Sequence, residues 1–452
     1  MISLPPAFIQ RMERLLGDEA KAFFQSLDSE LPTSIRINTE KSSIANIPFQ
    51  NLLFKEIPWC NTGYYLKERP LFILDPYLHG GAYYVQEASS MFLQTVLQQI
   101  VGNTPLRILD LCAAPGGKST LLANNMPMNS LLVSNEVIKS RAVVLKENII
   151  KWGLDNVVVT NSDPSRFSQV DGAFDIILVD APCSGEGMFR KDEKAITEWS
   201  ENNLRLCEER QKRIISDVWT ALAPGGFLIY STCTYNPGEN EDMLNWILKT
   251  FDSSSIEIQH GIPEITNSQS PLHAYHFYPH KTLGEGFFIG VIQKNDGTFF
   301  SMKKGKRDLQ ATPIKLPTEI HSFLPDITKF SIYLAGETLG ILPKQHAEFV
   351  QYLSTRVGVI YKGCEIGESM KGKIKPAHSL ALYSKLQQKQ VAHQEVDLPT
   401  ALQFLRKEEI RFDAPRGEWI LVTYKGLGLG WVKEVGNRIN NYYPKEWRIK
   451  NF

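Results

Sequence analysis

The middle of the chain alternates short apolar runs with helix-like runs, and this alternation restricts the fold more than any other feature of the sequence. We interpret the apolar runs as strands, at residues 106–111, 131–136, 156–161, 174–180, 226–234 and 286–294. The helix-like runs between them include residues 139–152, 203–222 and 240–251. Short apolar strands separated by helices are the pattern that βαβ crossovers leave in a sequence. We therefore predict an α/β domain with a doubly wound, mostly parallel sheet.

Pattern and composition divide the chain into five parts. Residues 8–27 carry apolar side chains near helical spacing and residues 34–41 alternate like a strand, which predicts a small α/β lobe at the start. Four positive charges between Lys303 and Arg307 indicate a basic linker, and short strand-like runs around glycine turns follow near the end. The predicted boundaries are 1–78 for the N-terminal lobe, 79–296 for the sheet domain, 297–313 for the linker, 314–389 for an intermediate α/β segment and 390–452 for a C-terminal module.

Composition limits the classes of function. The 49 Lys and Arg residues balance 49 Asp and Glu residues, so the formal net charge is 0 and any basic surface must be local. Six cysteines lack a C-x-x-C pair, and the first residues lack a cationic stretch followed by an apolar run, which predicts a reduced, cytoplasmic protein. No apolar run approaches the roughly 20 residues that a membrane span needs, so we expect no membrane partner.

A glycine turn between the first strand and the following helix predicts a ligand site. Residues 110–120 read DLCAAPGGKST, and Gly116 and Gly117 would let the backbone approach a ligand at the helix N-terminus. The dinucleotide pattern G-x-G-x-x-G is absent, which argues against NAD. A P-loop fails at one position only, where Cys112 replaces glycine, and residues 176–180 resemble a magnesium-binding strand. A P-loop-like ATPase is therefore a real alternative.

The end of the second strand favours a different ligand. Glu136 follows the glycine turn by about 20 residues, the spacing of an acid that holds ribose hydroxyls. This favours a nucleoside cofactor without a triphosphate. A merely charged strand end is the alternative explanation, and spacing alone leaves the two nearly even.

Two cysteines lie at the ends of strands four and five. Cys183 follows Asp180 and Cys233 ends the next strand, so both are expected at the edge where ligands bind in open α/β sheets. No histidine occurs between His79 and His260, which excludes a Cys–His dyad and a zinc site with histidine ligands in this region. A thiolate would then depend on Lys118 or on a helix N-terminus.

A pyrimidine substrate would use these groups. A thiolate that adds to C6 turns C5 into a carbon nucleophile that can take a methyl group from S-adenosylmethionine, which splits one difficult step into two. A carboxyl group beside N3, the role for which Asp180 is suited, would stabilise the charge that develops on the ring.

Several strings closely resemble the Sun family of RNA (cytosine-5) methyltransferases, in the same order. They are GAYYVQEASSM (81–91), DLCAAPGGKST (110–120), DAPCSGEGMFRKD (180–192), STCTYNPGENE (231–241) and PHKTLGEGFF (279–288). The resemblance implies a Rossmann-like class I methyltransferase sheet, S-adenosylmethionine as the cofactor and RNA as the substrate.

The resemblance also implies roles for individual residues. It makes Cys233 the nucleophile and Cys183 the residue that assists product release, with Asp180 and Lys118 completing the catalytic set. Asp163 is its least secure match, because N-S-D only approximates the family string. The implied cofactor-lining residues are Cys112, Ala113, Ala114, Pro115, Gly116, Gly117, Lys118, Glu136, Arg141, Asp163 and Asp180.

The order of the parts is similar to the bacterial subgroup that modifies small-subunit ribosomal RNA, and the C-terminal module is similar to a PUA-type RNA-binding domain. Phosphate and base contacts are conceivable there, although a solvated face and a small core explain the same residues. The residues concerned are Lys425, Lys433, Arg438, Lys445, Arg448, Lys450, Tyr442, Tyr443 and Trp447. We expect a monomer that acts on 16S ribosomal RNA or an assembling small subunit. A tRNA substrate and a non-catalytic RNA-binding scaffold remain alternatives.

We expect no metal site. Three histidines lie within residues 273–280, but no acid or cysteine follows them at ligand spacing. We interpret Cys60, Cys207 and Cys364 as packing or surface thiols.

Overall fold

The computed structural model describes residues 3–268, 271–302, 316–324, 326–370, 372–413, 417–436 and 438–450. The predicted basic cluster at residues 303–307 lies outside these ranges. In the described parts of the chain, every helix is too short or too polar to cross a membrane.

The N-terminal lobe consists of helices followed by a four-stranded antiparallel sheet of order β2-β3-β1-β4. Its elements are α1 (Pro6–Leu16), α2 (Ala20–Leu27), β1 (Thr33–Ile37), β2 (Leu53–Ile57), β3 (Cys60–Leu66), α3 (Pro76–His79) and β4 (Tyr83–Val85). The helical region predicted at 8–27 is two helices, because Gly17 ends α1 with a φ of 54°. Both helices pack on the sheet domain, where Phe8 and Phe23 share a core cluster with Phe189.

The sheet domain contains the large sheet and its crossover helices. Its elements are α4 (Leu93–Ile100), β5 (Arg107–Asp110), α5 (Gly117–Asn125), β6 (Leu131–Asn135), α6 (Lys139–Trp152), β7 (Val157–Thr160), β8 (Phe174–Asp180), α7 (Glu193–Glu198), α8 (Glu201–Val218), β9 (Leu222–Thr232), α9 (Glu241–Thr250), β10 (Ser253–Ser255), β11 (Thr266–Asn267), β12 (Ala274–Phe277) and β13 (Phe287–Lys294).

Five parallel strands, in the order β7-β6-β5-β8-β9, form the centre of this sheet. Their side chains are buried on both faces, which explains why they read as continuous apolar runs rather than as alternating ones. The strands β13, β12 and β11 extend the sheet beyond β9, and each pairs antiparallel. The parallel centre agrees with the predicted doubly wound sheet, and strand β13 is antiparallel to β9. That strand starts at the edge where β9 ends, since Phe288 pairs with Thr232.

The intermediate segment builds a four-stranded antiparallel sheet of its own and adds a strand to the large sheet. Its elements are α10 (Ile320–Phe323), β14 (Phe330–Ala335), β15 (Thr338–Pro343), α11 (Ala347–Ser354), β16 (Val359–Lys362), β17 (Cys364–Met370), β18 (Lys373–Pro376) and α12 (His378–Ala381). The sheet of the intermediate segment has the order β14-β15-β17-β18. Strand β16 pairs antiparallel with β7 and so covers the edge of the large sheet.

The C-terminal module is a four-stranded sheet of order β19-β20-β21-β22 with one helix. Its elements are β19 (His393–Glu395), α13 (Leu398–Leu405), β20 (Trp419–Tyr424), β21 (Leu427–Val435) and β22 (Arg438–Asn441). The module shares one apolar core with the N-terminal lobe. The rings of Tyr77 and Tyr424 lie 5.9 Å apart, and the Tyr443 hydroxyl lies 3.3 Å from His79 Nδ1. The N-terminal lobe and the C-terminal module therefore pack together.

Candidate active site

The two cysteines predicted at the sheet edge are in direct contact. Strands β8 and β9 run parallel with Asp180 opposite Ser231, so the residues just beyond the two strand ends meet. The sulfur atoms of Cys183 and Cys233 lie 3.2 Å apart. The backbone N–H of Cys233 also donates to Cys183 Sγ, at 3.4 Å. Both side chains are half-buried.

The contact between the two thiols affects the titration of Cys183. The hydrogen bond to Cys233, followed by burial, raises the pKa of Cys183 well above its usual value. Cys183 therefore favours its protonated form at this edge.

Beside the thiols lies an ion pair between Lys118 and Asp180. Lys118 Nζ is 2.8 Å from Asp180 Oδ2, and Ser231 Oγ donates to Asp180 Oδ1 at 2.7 Å. Burial alone would lower the pKa of Lys118, but the Asp180 carboxylate reverses this, and the net pKa lies above the usual value. The ammonium group therefore stays charged, and Cys233 is one of the groups with which it interacts electrostatically.

The glycine turn lies at the same edge and opens helix α5. Gly116 has a φ of 116°, a backbone conformation that favours glycine, and the helix begins at Gly117. The backbone N–H of Ala113 donates to the carbonyl of Asn135 at 2.8 Å, which ties the turn to the end of β6. Residues 112–118 thus follow β5 as the sequence predicts.

Glu136 and Arg141 are linked to this turn. Glu136 is buried, and its Oε1 accepts from the backbone N–H of Ile138 at 2.9 Å. Its Oε2 lies 3.5 Å from Arg141 Nη1, and Arg141 Nη2 donates to the carbonyl of Ala114 at 2.9 Å. The structure therefore brings both residues together with the glycine turn.

Asp163 is the predicted site residue that the structure joins least closely to the others. It lies beyond β7 at the same sheet edge but is exposed, and its Oδ1 accepts from the Ser165 hydroxyl at 2.7 Å and backbone N–H at 3.1 Å. These hydrogen bonds lower the pKa of Asp163.

Four residues that the sequence reasoning did not select also belong to this edge. Asp110 is fully buried; its Oδ2 accepts from Ser119 Oγ at 2.6 Å, whereas its Oδ1 has no partner among the described residues. Burial raises the pKa of Asp110 to about 7. Val137 and Ile138 are 52% and 49% exposed directly after Glu136. An apolar pair immediately after an acidic strand end was the available signal for these two.

The fourth of these residues is Arg36 on β1 of the N-terminal lobe. It is fully buried and donates to the carbonyl of Gly117 at 3.2 Å and to Thr120 Oγ1 at 2.5 Å. Its guanidinium lies 4.7 Å from the centre of the Trp152 ring. The lobe therefore holds the first turn of α5 from behind, a contact that no local pattern indicates.

These groups fit a positively charged nucleoside cofactor better than a nucleoside triphosphate. Glu136 suits ribose hydroxyls, the exposed apolar pair suits a flat base, and the unpartnered Asp110 oxygen suits a cation. A triphosphate would meet the carboxylates of Asp110 and Asp180, and the lysine of the near-P-loop is already paired with Asp180.

Comparison with known proteins distinguishes between these two interpretations of the cofactor. Residues 96–293 match the model described as 16S rRNA methyltransferase RsmB/F. Residues 4–88 match the N-terminal domain of 16S rRNA methyltransferase RsmF, and residues 392–449 match the methyltransferase RsmF PUA domain. A protein of Shewanella loihica named ribosomal RNA small subunit methyltransferase F is 32% identical, over 99% of this chain and 96% of its own.

The chain belongs to the 16S rRNA methyltransferase RsmB/F family. A protein of Aeromonas salmonicida with the same name is 33% identical over 98% of this chain and 97% of its own. The solved structure of a methyltransferase homologue from Pyrococcus horikoshii shares 30% identity and covers 64% of this chain and 94% of that chain, with a TM-score of 0.55. NSun6 from the same organism, solved with SFG, has 20% identity over 65% of this chain and 98% of that one, with a TM-score of 0.55, and shows the likeness of the fold.

Membership in the RsmB/F family confirms the predicted resemblance, the class I methyltransferase fold, S-adenosylmethionine as the cofactor and the PUA domain. The chain is an RNA methyltransferase of this family. The alternatives of a P-loop-like ATPase and of a non-catalytic scaffold are therefore wrong. The near-P-loop arises because a glycine turn before a helix serves both kinds of cofactor.

The C-terminal residues differ in what they can offer to RNA. Tyr443 is fully buried in the shared core, so it cannot stack on a base. Tyr442 is 38% exposed, Trp447 is half-buried, and Lys433 lies 5.0 Å from the centre of the Trp419 ring. The remaining predicted cations are exposed, and they are Lys425, Arg438, Lys445, Arg448 and Lys450.

Among the described residues, no group of three or more His, Cys, Asp or Glu side chains is arranged to hold a metal ion. His276 Nε2 lies 2.5 Å from Glu241 Oε1, and His280 pairs with Glu19, so each of these two histidines faces one carboxylate. Cys60, Cys207 and Cys364 are buried.

Proposed function

We propose that this enzyme transfers a methyl group from S-adenosylmethionine to C5 of a cytosine in 16S ribosomal RNA, through a transient bond between Cys233 and C6. The observation that carries the proposal is the 3.2 Å contact between the sulfur atoms of Cys183 and Cys233, next to the Lys118–Asp180 ion pair. A base that enters this edge would meet a nucleophile, a cation and a carboxylate together.

The first step is the addition of the Cys233 thiolate to C6. The new S–C6 bond displaces the electron pair of the C5=C6 bond toward C5 and N3. A proton held between Lys118 and Asp180 can stabilise the charge that develops at N3, and the Lys118 ammonium favours the thiolate before attack.

The cofactor, when bound, supplies a methyl group on a positively charged sulfur. In our proposal the glycine turn at residues 112–118 approaches it with backbone N–H groups, and Glu136 accepts hydrogen bonds from the ribose. Asp110 faces a positive charge with its unpartnered oxygen, and Val137 and Ile138 cover the base.

Release of the product requires loss of the C5 proton, after which the C5=C6 bond forms again and Cys233 leaves as a thiolate. We assign the base to Cys183. The contact with Cys233 is the main cause of its raised pKa. Once Cys233 is bonded to carbon, its sulfur carries no negative charge and the hydrogen bond that raised the pKa of Cys183 is weakened. Cys183 can then lose its proton to water, and its thiolate can take the proton of C5.

A trapped adduct tests the covalent route. RNA transcribed with 5-fluorocytidine carries fluorine in place of the C5 proton, and a base cannot remove fluorine. A covalent enzyme–RNA complex should therefore accumulate in the presence of S-adenosylmethionine. A denaturing gel detects it as a slow band that RNase removes, and a Cys364→Ala variant serves as the control. Methylation of ordinary RNA without any adduct on fluorinated RNA would contradict the route.

We further propose a monomer in the bacterial cytoplasm that acts on 16S ribosomal RNA, naked or within an assembling small subunit, rather than on tRNA. The names of the relatives and their full-length match support this choice. Bisulfite sequencing of total RNA from a deletion strain identifies the cytosine, and loss of a tRNA methylation instead would overturn the choice. Light scattering of the purified enzyme tests the monomer.

A further inference from the structure

A cavity lies between strand β4 of the N-terminal lobe and helix α6 of the catalytic domain. Its volume is about 480 Å³. Residues that line it include Arg69, Leu71, Phe72, Tyr84, Asn148 and Lys151. The described residues of its wall contain two cations and no carboxylate. The charge of the cavity therefore suits an anionic ligand.

The walls of this cavity combine an accessible aromatic ring with polar groups. Tyr84 is half-buried, and its ring lies 6.5 Å from that of Trp152. Asn148 Nδ2 lies 3.4 Å from the Tyr84 hydroxyl, which supplies two hydrogen-bonding groups. Leu71 at the rim is 69% exposed, a large apolar surface left to solvent beside an aromatic cavity. An apolar wall with a few convergent polar groups is typical of a ligand site.

On one side the cavity borders a larger groove and the glycine turn. A larger groove of about 980 Å³ shares Arg69 and Val85 with it. This groove is also lined by Gln86 and Lys191. Gln86 lies directly against Gly117, the residue before Lys118, because a Cβ on that glycine would be 3.6 Å from its carboxamide carbon.

On the other side the cavity connects with the PUA domain. The Lys151 ammonium lies 5.0 Å from the centre of the Trp447 ring. A strand of RNA held by the PUA domain could thus follow the N-terminal lobe past the cavity to the glycine turn.

We propose that the 480 Å³ cavity seats one unstacked base of the substrate RNA that flanks the target cytosine. The base stacks on Tyr84 under the cover of Leu71, and Arg69 and Lys151 meet the adjoining phosphates. Aromatic platforms beside cations are the usual means of holding single-stranded RNA, and a target cytosine must already be unstacked to reach the thiolate. This inference rests on the proposed RNA substrate.

Two exposed residues of the rim allow a test without damage to the core. Leu71→Asp removes the apolar cover and repels phosphate, and Arg69→Ala removes one cation. Leu334→Asp is the matched control for the first change, because Leu334 is 53% exposed on β14, and Arg14→Ala is the control for the second. The probe is full-length 16S ribosomal RNA from a deletion strain. KM for RNA, KM for S-adenosylmethionine and the salt dependence of RNA binding are measured for each variant.

We expect Leu71→Asp to raise KM for RNA by about 5- to 150-fold, the range that corresponds to the loss of one stacked base, with KM for S-adenosylmethionine unchanged. Arg69→Ala should reduce the slope of log affinity against log salt by about 1. Ultraviolet crosslinking should attach a nucleotide to the peptide that carries Tyr84 in the wild type and much less in Leu71→Asp. The two controls should behave as the wild type does.

Two results would overturn the inference. An altered KM for S-adenosylmethionine alone would assign the cavity to the cofactor, and RNA parameters equal to those of the controls would leave no role for it in RNA binding. If the wild type methylated no RNA at all, the proposed function would fail, yet the binding measurements would still decide the pocket. A loss of RNA affinity in Leu71→Asp would support it, and equal affinity would refute it.

Discussion

In our proposal the catalytic edge and the PUA domain both contact RNA, but their residues are arranged in opposite ways. At the catalytic edge, residues far apart in the chain are in contact. Lys118 Nζ lies 2.8 Å from Asp180 Oδ2, and the sulfur atoms of Cys183 and Cys233 lie 3.2 Å apart. In the PUA domain the cations lie close together in the chain and are exposed, as Lys445 and Arg448 are.

The difference follows from the range of the forces involved. Bond formation needs two atoms within a few tenths of an ångström of a given geometry, so the groups that do it are held by short, half-buried contacts. Attraction between cations and phosphates acts over roughly 8 Å at physiological salt and tolerates variation in position. One substitution should therefore abolish function at the first region and only weaken it at the second.

The largest expected effect separates the two cysteines. Cys233→Ala should abolish both turnover and the covalent adduct, because no S–C6 bond can form. Cys183→Ala should still attack and transfer the methyl group, and then accumulate an RNA-linked enzyme on a denaturing gel. A trapped band with Cys233→Ala and none with Cys183→Ala would exchange the two roles, and full activity of both variants would refute covalent catalysis.

The ion pair comes next in size. Asp180→Asn and Lys118→Met should each lower kcat by about 10²- to 10³-fold, the usual loss when one preorganised electrostatic group is removed from a transition state. Ser231→Ala is the matched control: it removes only the 2.7 Å hydrogen bond to Asp180 and should cost about 1 kcal/mol. Single-turnover rates distinguish them, and an equal loss in all three variants would show that the pair is merely structural.

The cofactor side should respond less. Glu136→Ala should weaken binding of S-adenosylmethionine by roughly 1 to 3 kcal/mol, because ribose hydroxyls would lose their acceptor. Glu136→Gln keeps the shape and should fall in between. Calorimetry measures both affinities, and an affinity equal to that of the wild type would remove Glu136 from the site.

Asp110 should make the stability of the cofactor-free enzyme depend on pH. Its pKa is raised from 3.8 to about 7 by burial, so the stability associated with its protonated form is complete below 3.8 and is lost as the pH rises through 7. Asp110→Asn removes that charge, so the difference in unfolding free energy between variant and wild type should grow from pH 4 to pH 8. Urea unfolding at several pH values checks this, and a constant difference would show that Asp110 does not titrate there.

The smallest effects belong to the PUA surface. Arg438→Ala and Lys445→Ala should each reduce the salt slope of RNA binding by about 1 and leave cofactor affinity unchanged. Point variants are better than truncation, because removal of the module would expose the core that Tyr424 and Tyr77 share. A loss of methylation as complete as that of Cys233→Ala would break the contrast between the two regions.

Local elements of the catalytic domain were predictable to within a few residues. Helix α6 spans Lys139–Trp152 and strand β8 spans Phe174–Asp180, the ranges read from the sequence. Gly153, with a φ of 82°, ends the helix, and such a residue is a strong local signal. The antiparallel direction of β13 and the pairing of β16 with β7 were not predictable, because strand partners leave no periodic trace in the strand itself.

For the site, the motifs indicated which residues gather but not how they act on one another. The contact between Cys183 and Cys233 follows from two parallel strands in register, whereas the raised pKa of Cys183 depends on the separation of the two sulfur atoms and on burial. Tyr443 shows the opposite case: its aromatic side chain suggested stacking on RNA, and its burial in the core excludes such stacking.

The sequence by itself determined the order of strands and helices, the glycine turn and the residue types at the ends of the strands, because these depend on local periodicity and on chemistry carried by neighbouring residues. Only the tertiary structure decided that Arg36 of the N-terminal lobe supports α5, that the PUA domain packs on that lobe, and that an aromatic cavity opens between the lobe and α6. Such contacts join residues distant in the chain, and their stability comes from burial and complementary shape, which no local pattern encodes.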